Sequence, residues 1–184
     1  MESEQELIQA RDDVLRKIGR NIINFQKIEQ LLKGLILSSQ ASGFVSELES
    51  NHKQKSEEIH NQPMGVLVKK YFDHIYSDLS TTTPISDEIT EPYISFSFAI
   101  TKDAAFIENK KAALKSLVEE RNELVHHLLL RLDLLSIKSC LEMGKLLDVQ
   151  RERQKEEYEK LAAQIQQIKD TYAEASEFLA SDAG

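Results

Sequence analysis

Residues 3–39 have the sequence SEQELIQARDDVLRKIGRNIINFQKIEQLLKGLILSS, which contains no proline. At about 100° per residue, six apolar side chains of this stretch fall within about 60° of Glu29 on a helical wheel: Leu15, Ile18, Ile22, Phe25, Leu32 and Ile36. Ser3 and Glu6 match a capping box at its start, and Gly43 lies just beyond its end. We therefore predict one long amphipathic helix with a carboxylate at the centre of its apolar stripe.

The middle of the chain contains all of its prolines, Pro63, Pro84 and Pro92. Proline interrupts a helix because it lacks the backbone N–H and clashes with the preceding turn. The sequence thus predicts two helical blocks separated by an irregular segment. Within that segment we expect a loop or weak helix over 44–62, a short helix over 64–76 that begins after Pro63, and a loop over 77–92.

Residues 93–100 alternate, with Ile94, Phe96, Phe98 and Ile100 on one face. This period of two is typical of a β-strand. A single strand needs a partner, which would be either residues 85–91 in a short hairpin or a second subunit. The six glycines and three prolines of the chain are too few for an all-β fold with its many tight turns.

The second helical block contains two predicted helices. One begins near Thr101 and continues to at least Leu130, and the other covers roughly Asp133–Leu179, where apolar residues recur at spacings of three and four. The fold class is therefore all-α, with one short β-strand or hairpin near 85–100 and a long C-terminal helix. We expect residues 1–150 to form one helical domain and residues 151–184 to form a helical extension that packs on this domain or on a partner subunit.

Arg121 lies in the middle of the most apolar stripe of the chain, flanked on a helical wheel by Leu114, Leu117 and Leu124. A guanidinium is costly to bury unless it is paired or lies in a solvated cleft. Glu29 is the central charge of the other long stripe and has the opposite sign. The sequence therefore predicts that Glu29 and Arg121 are within hydrogen-bonding reach, either as a structural ion pair without chemistry or as part of a functional site.

Residues 120–127 have the sequence ERNELVHH. Arg121 is followed directly by Asn122 and, after four intervening residues, by His126, while His127 gives a spacing of five. This pattern resembles the signature of the HEPN superfamily, whose helical ribonucleases carry an arginine, four to six residues and then a histidine, usually with a polar residue directly after the arginine. The order of a long first helix, a shorter second helix and a motif near the end of a later helix is also similar.

The resemblance implies an antiparallel helical bundle of HEPN type and metal-independent cleavage of single-stranded RNA in a cleft between two protomers. Arg121 would hold the phosphate, Asn122 would orient the ring or the ribose, and His126 would move protons, since an imidazole titrates near neutral pH. His127 and Glu29 are secondary candidates. The products would be a 2′,3′-cyclic phosphate and a 5′-hydroxyl. No cofactor or metal is expected.

The geometry of a regular helix separates these residues. His126 would lie about 140° from Arg121, and His127 about 120° away in the other direction. Either the helix is interrupted there, or the cleft combines Arg121 of one chain with a histidine of another. The run Leu128–Leu135 is apolar around the whole helix, which indicates burial on every side. We therefore predict a homodimer with the Arg121–His127 region at or beside its interface.

The composition limits the classes of partner. A net charge of −8 disfavours long-range attraction of nucleic acid, so contact with RNA would be local. No stretch is long and apolar enough to cross a membrane, no secretory signal begins the chain, and Cys140 is the one cysteine, so we expect a cytoplasmic protein without disulfides. Three functions stay open. The first is a HEPN-type endoribonuclease that acts as a toxin or phage-defence effector. The second is a non-catalytic HEPN-like module that binds RNA or a protein such as an antitoxin, and the third is a helical structural or adaptor protein.

Overall fold

The computed structural model describes residues 4–76 and 91–182 of the chain. In this part the elements are α1 (Glu4–Ser38), β1 (Gln40–Phe44), α2 (Leu48–His60), α3 (Met64–Ile75), β2 (Tyr93–Ser97), α4 (Ala104–Asn122) and α5 (Ile137–Asp182). A π-helical turn (Glu123–His127) and a 3₁₀ turn (Leu128–Leu130) follow α4 directly. The predicted all-α fold with a short hairpin and a long C-terminal helix is confirmed.

The buried face of α1 differs from the predicted stripe. Leu15, a predicted member, is 45% exposed, whereas Asn21 is fully buried together with Phe25 and Leu32. Asn21 can be buried because its Nδ2 donates to the carbonyl oxygen of Leu147 at 2.8 Å and to Oε1 of Gln150 at 2.9 Å. The predicted capping residue Ser3 lies outside the described residues.

The sheet consists of β1 and β2, which pair antiparallel from Gln40 opposite Ser97 to Phe44 opposite Tyr93. The strand predicted over 93–100 is therefore present, but its partner in the structure is the segment directly after α1. The sequence did not mark β1 as a strand because QASGF has no alternation of apolar and polar residues. Residues 85–90, which belonged to the expected partner, lie outside the described part of the chain.

The region between the strands contains two helices. The segment expected to be a loop or weak helix forms α2, whose single buried side chain is Ile59. Helix α3 begins directly after Pro63, as predicted, and buries Leu67, Tyr71 and Ile75. Residues 77–90 of the predicted loop are not among the described residues.

The described residues form two compact units, residues 4–29 with 112–159 and residues 30–76 and 91–111 with 160–182. In the first unit Lys17 bonds Asp148, Asn21 bonds Gln150 and Asn24 bonds Gln154, so α1 and α5 run parallel there. In the second unit the Tyr71 hydroxyl donates to Oε1 of Gln164 at 2.6 Å, and the rings of Phe96 and Tyr172 lie 4.2 Å apart between centroids. The expected division at residue 150 stays a prediction. No helix of the described chain is long and apolar enough to cross a membrane.

Candidate functional site

Arg121 lies one residue before the end of α4, on the face that carries the buried residues Leu114, Leu117 and Leu124 of the first unit. These positions repeat at the three- and four-residue spacing of a helical face. The predicted place of Arg121 on an apolar stripe is therefore confirmed. Its side chain retains 29% exposure, so one side of the guanidinium is available to solvent or to a ligand.

Glu29 is the partner of Arg121, as the sequence predicts. Its Oε1 lies 3.6 Å from the Nε of Arg121, and its side chain is 19% exposed. The predicted pairing of the two charges is therefore confirmed, but the distance is that of an ion pair slightly longer than the predicted hydrogen bond. The Nη1 of Arg121 donates to Oδ1 of Asn122 at 3.4 Å. Two of the predicted site residues, Glu29 and Asn122, thus contact the guanidinium.

The helix changes its hydrogen-bonding pattern directly after Asn122. Residues Glu123–His127 form a π-helical turn, in which backbone bonds join residues five apart rather than four. The prediction of a helix that continues to Leu130 is therefore wrong. Of the two alternatives given above, an interruption of the helix is present. Because each π turn contains an extra residue, the angle between Arg121 and His126 is smaller than the ~140° of a regular helix.

His126 and His127 are both exposed, and their ring centroids lie 6.3 Å apart with the rings nearly perpendicular. Within the described residues, no hydrogen bond or ion pair connects either imidazole to Arg121. A single chain therefore assembles Glu29, Arg121 and Asn122 but leaves both histidines free to contact a ligand or another chain.

The leucine run after the π turn is not a buried helix. Leu128–Leu130 form a 3₁₀ turn, and Leu129, Leu130 and Leu135 are 80%, 85% and 80% exposed. The prediction of burial on every side is wrong for a single chain, because the helix ends here and the turns direct these side chains outward. The result is an exposed apolar cluster, named here the leucine cluster (Leu129, Leu130 and Leu135), within eight residues of His127 in the sequence.

A groove of about 340 Å³ lies between the end of α4 and α5 in the first unit. Its walls combine apolar residues such as Leu124 and Met143 with the carboxylates of Glu119, Glu120 and Glu123. Arg153 binds Oε1 of Glu120 through both Nε and Nη2 at 2.7 Å. Arg131 also lines the groove and pairs with Glu123 at 3.5 Å, so the two arginines of the groove are already paired with its carboxylates. Arg121, Asn122, His126 and His127 do not line this groove.

A polar ladder joins α1 and α5 in the first unit, and the sequence analysis missed it. Lys17 donates to Asp148 at 2.7 Å, and the nearby bonds of Lys17 and Arg20 lower the pKa of the Asp148 carboxyl. Asp148 in turn raises the pKa of Lys17. Gln154, which is 1% exposed, continues the ladder by donating to the carbonyl oxygen of Asn21 at 3.1 Å. The available signal was the recurrence of polar residues at helical spacing on both helices, hidden inside stripes that are otherwise apolar.

Cys140 is a core residue, as its residue type predicts. It is 1% exposed, and its Sγ lies 3.7 Å from the carbonyl oxygen of Asp133. Burial raises the pKa of the thiol, which lowers the fraction of reactive thiolate. Among residues 4–76 and 91–182, no group of three His, Cys, Asp or Glu side chains is arranged to hold a metal ion.

No family model, no curated protein and no solved structure matches this chain.

Proposed function

We propose that this protein is a metal-independent endoribonuclease of HEPN type that cleaves single-stranded RNA, in the manner of a toxin or phage-defence effector. The observation that carries the proposal is the π-helical turn Glu123–His127, which begins one residue after Asn122. Interruptions of this kind are frequent at functional sites. It favours an arrangement in which Arg121 and His126 act on one ligand, which a regular α-helix would oppose.

Arg121 has the geometry of a phosphate-holding group. Its Nε faces Glu29 and its Nη1 donates to Asn122, so the guanidinium has a neighbour of opposite charge on one side and an amide oxygen on another. An arginine carries five N–H donors, and these two contacts leave donors on Nη1 and Nη2 for phosphate oxygens. The Glu29 carboxylate acts as a positioning group, while the partial exposure of Arg121 allows the phosphate to approach.

The proposed reaction needs a proton acceptor and a proton donor. The 2′-oxygen of a ribose attacks the adjacent phosphorus as an imidazole takes its proton. The bond from phosphorus to the 5′-oxygen breaks, and a protonated imidazole or water supplies a proton to that oxygen. The products are a 2′,3′-cyclic phosphate and a 5′-hydroxyl. His126 and His127 are both exposed enough to contact RNA, so either can supply the imidazole.

A second copy of the chain would complete the site. The leucine cluster exposes three large apolar side chains close to the motif in the sequence, and exposed patches of this kind mark interaction surfaces. A symmetric dimer would bring two motifs together if this patch covers itself. The two copies would then supply two arginines and two pairs of histidines to one cleft.

The proposal is tested by incubating the purified protein with a fluorescent single-stranded RNA in the presence of EDTA. Cleavage should persist because the proposed reaction uses Arg121 and an imidazole, and the upstream fragment should end in a cyclic phosphate that blocks ligation. A matched substrate with a 2′-deoxyribose at the cleaved position should stay intact. Absence of cleavage on structured and unstructured RNA at micromolar protein would contradict the proposal.

A structural role is the second candidate, and one observation favours it. The Arg121 charge is already neutralised by Glu29, and neither histidine contacts the guanidinium within the described residues. In this case the ion pair would fix the contact between α1 and α4 without chemistry, as in a non-catalytic binding module or adaptor. Substitution of His126 or His127 would then have no effect in any assay.

A further inference from the structure

A second groove of the first unit has a different chemical character. It measures about 210 Å³ and lies between α1 and α5, where Asn24, Lys27, Arg151, Gln154, Lys155 and Tyr158 line it. Three of these six residues are cations and none is a carboxylate. In a chain with a net charge of −8, this composition sets the groove apart from the surrounding surface. We name it the basic groove.

The basic groove is distinct from the site around Arg121. Lys27 and Glu29 are two residues apart on α1, so they point about 200° apart at ~100° per residue. The same separation holds on α5 between Arg151, which lines the basic groove, and Arg153, which binds Glu120 of α4. The basic groove therefore opens on the side of the α1–α5 pair that faces away from α4.

The cations of the basic groove can bind a ligand with little loss of free energy, because their existing contacts within the chain are weak. Arg151 contacts Glu152 at 3.5 Å, and Lys155 contacts Glu159 at 3.9 Å. All four side chains are about half exposed or more, and exposed ion pairs of this kind contribute little to stability. Lys27 is an exposed residue of α1. An anion could thus recruit all three cations without breaking a strong contact.

The base of the groove is fixed by side-chain amides. Gln154 is 1% exposed, and its Oε1 accepts a hydrogen bond from Nδ2 of Asn24 at 3.2 Å. A side-chain amide nitrogen carries two hydrogens, so Asn24 retains one donor for a ligand. The contact with Gln154 also holds the Nδ2 side of Asn24 in a defined orientation.

We infer that the basic groove is a binding site for a phosphate group. Three cations and an amide donor match the negative charge and the acceptor oxygens of a phosphate, and they suit a carboxylate less well because it has fewer oxygens. The volume is below the roughly 300 Å³ of a typical small-molecule pocket, so the groove accommodates the phosphate and leaves the remainder of the ligand outside. Tyr158, 38% exposed, lies at the position where a base or sugar attached to that phosphate would pack.

The test is a titration of the full chain with inorganic phosphate, ribose 5-phosphate and AMP at constant ionic strength, followed by NMR of the tyrosine rings and by calorimetry. We expect saturable binding with a shift of the Tyr158 ring signal. AMP binding more tightly than ribose 5-phosphate would assign a nucleotide ligand, and equal binding would assign the phosphate alone. Either result supports the site.

The variant Lys27→Gln, Arg151→Gln, Lys155→Gln should lose at least tenfold in affinity, because each charge-assisted bond contributes substantially to binding. The control variant Lys115→Gln, Lys138→Gln, Lys145→Gln makes the same change in net charge with exposed lysines of the same unit that do not line the groove. It should bind as the unchanged protein does. Equal losses in both variants, or no saturable binding of any of the three ligands, would overturn the inference. Ribonuclease activity does not enter the measurement, so the inference can fail or hold independently of the proposed function.

Discussion

Glu29 Oε1 lies 3.6 Å from Arg121 Nε, and this ion pair joins α1 to the last turn of α4. Both side chains are mostly buried, so the contact is protected from solvent better than an ordinary surface pair. The pair lies directly before the point where α4 gives way to the π-helical turn. We infer that it anchors the end of α4 and thereby positions the segment that carries both histidines.

Removal of the arginine alone should damage the first unit. Arg121→Ala leaves the Glu29 carboxylate mostly buried without its partner, and we expect a loss of about 1–3 kcal/mol in the free energy of unfolding. Complete burial would cost more, but both side chains keep some contact with water. The measurement is urea denaturation at pH 7 followed by circular dichroism.

The double variant Glu29→Gln, Arg121→Gln provides the control for this prediction. It removes both charges and keeps polar side chains of similar length, so its stability should recover toward that of the unchanged protein. If Arg121→Ala unfolds at the same urea concentration as the unchanged chain, the ion pair is not an anchor.

Substitution of the histidines separates catalysis from structure. His126→Ala and His127→Ala should leave the urea midpoint within about 0.5 kcal/mol of its original value, because both side chains are exposed. At least one of the two should abolish cleavage of single-stranded RNA in EDTA. His60 is also exposed, so His60→Ala is the matched control and should retain the cleavage activity. Full activity in both motif variants would contradict the role of an imidazole.

The leucine cluster should control the oligomeric state. We expect the unchanged protein to sediment as a dimer at micromolar concentration and the variant Leu129→Ser, Leu130→Ser, Leu135→Ser to sediment as a monomer, because burial of these side chains would drive association. Ile23→Ser, which changes a 53% exposed apolar residue of α1, should remain a dimer. Sedimentation of the unchanged protein as a monomer alone would refute this prediction.

The sequence alone predicted those features that follow from a repeat of apolar residues at helical spacing. It predicted α1, α3 and α5 because their apolar residues repeat at helical spacing, and it predicted the Glu29–Arg121 pair because each charge interrupts an apolar stripe. It could not predict β1, since QASGF pairs only because β2 lies beside it. An interruption of the helix after Arg121 was one of two alternatives that the sequence left open. Its π-helical form could not be predicted, because the change from bonds four residues apart to bonds five residues apart leaves no mark on residue type.

The basic groove required knowledge of how two distant helices align. Lys27 on α1 and Arg151 and Lys155 on α5 line one groove only because α1 and α5 run parallel in the first unit. In the sequence the basic residues are diluted by neighbouring carboxylates such as Glu152 and Glu159. The sequence around Arg151 and Lys155 therefore has little net charge. On the folded surface, by contrast, the basic side chains line the groove and the neighbouring carboxylates do not.

The second unit should lose stability in mild acid through His74 of α3. Its Nδ1 is buried without a hydrogen-bond partner in the described chain, and burial lowers the pKa of this imidazole. The charges of Lys55 and Lys70 lower the pKa further, and Asp73 opposes them. The folded state therefore binds a proton less readily than the unfolded state, whose histidine titrates near pH 6.5.

The sign of the effect follows from this difference. Above about pH 6.5 the histidine is neutral in both states, and below it the unfolded chain gains a proton that the folded chain resists, so the free energy of unfolding decreases as the pH falls. We expect the urea midpoint to drop between pH 7.5 and pH 5 and this drop to shrink in His74→Gln. His60 is exposed, so the control variant His60→Gln should show the same decrease in urea midpoint as the unchanged protein.

Carboxylates such as Asp148, whose pKa is lowered, change the free energy of unfolding only at more acidic pH. They therefore do not obscure the effect of His74 between pH 7.5 and pH 5. An unchanged slope in His74→Gln would show that another group causes the acid sensitivity.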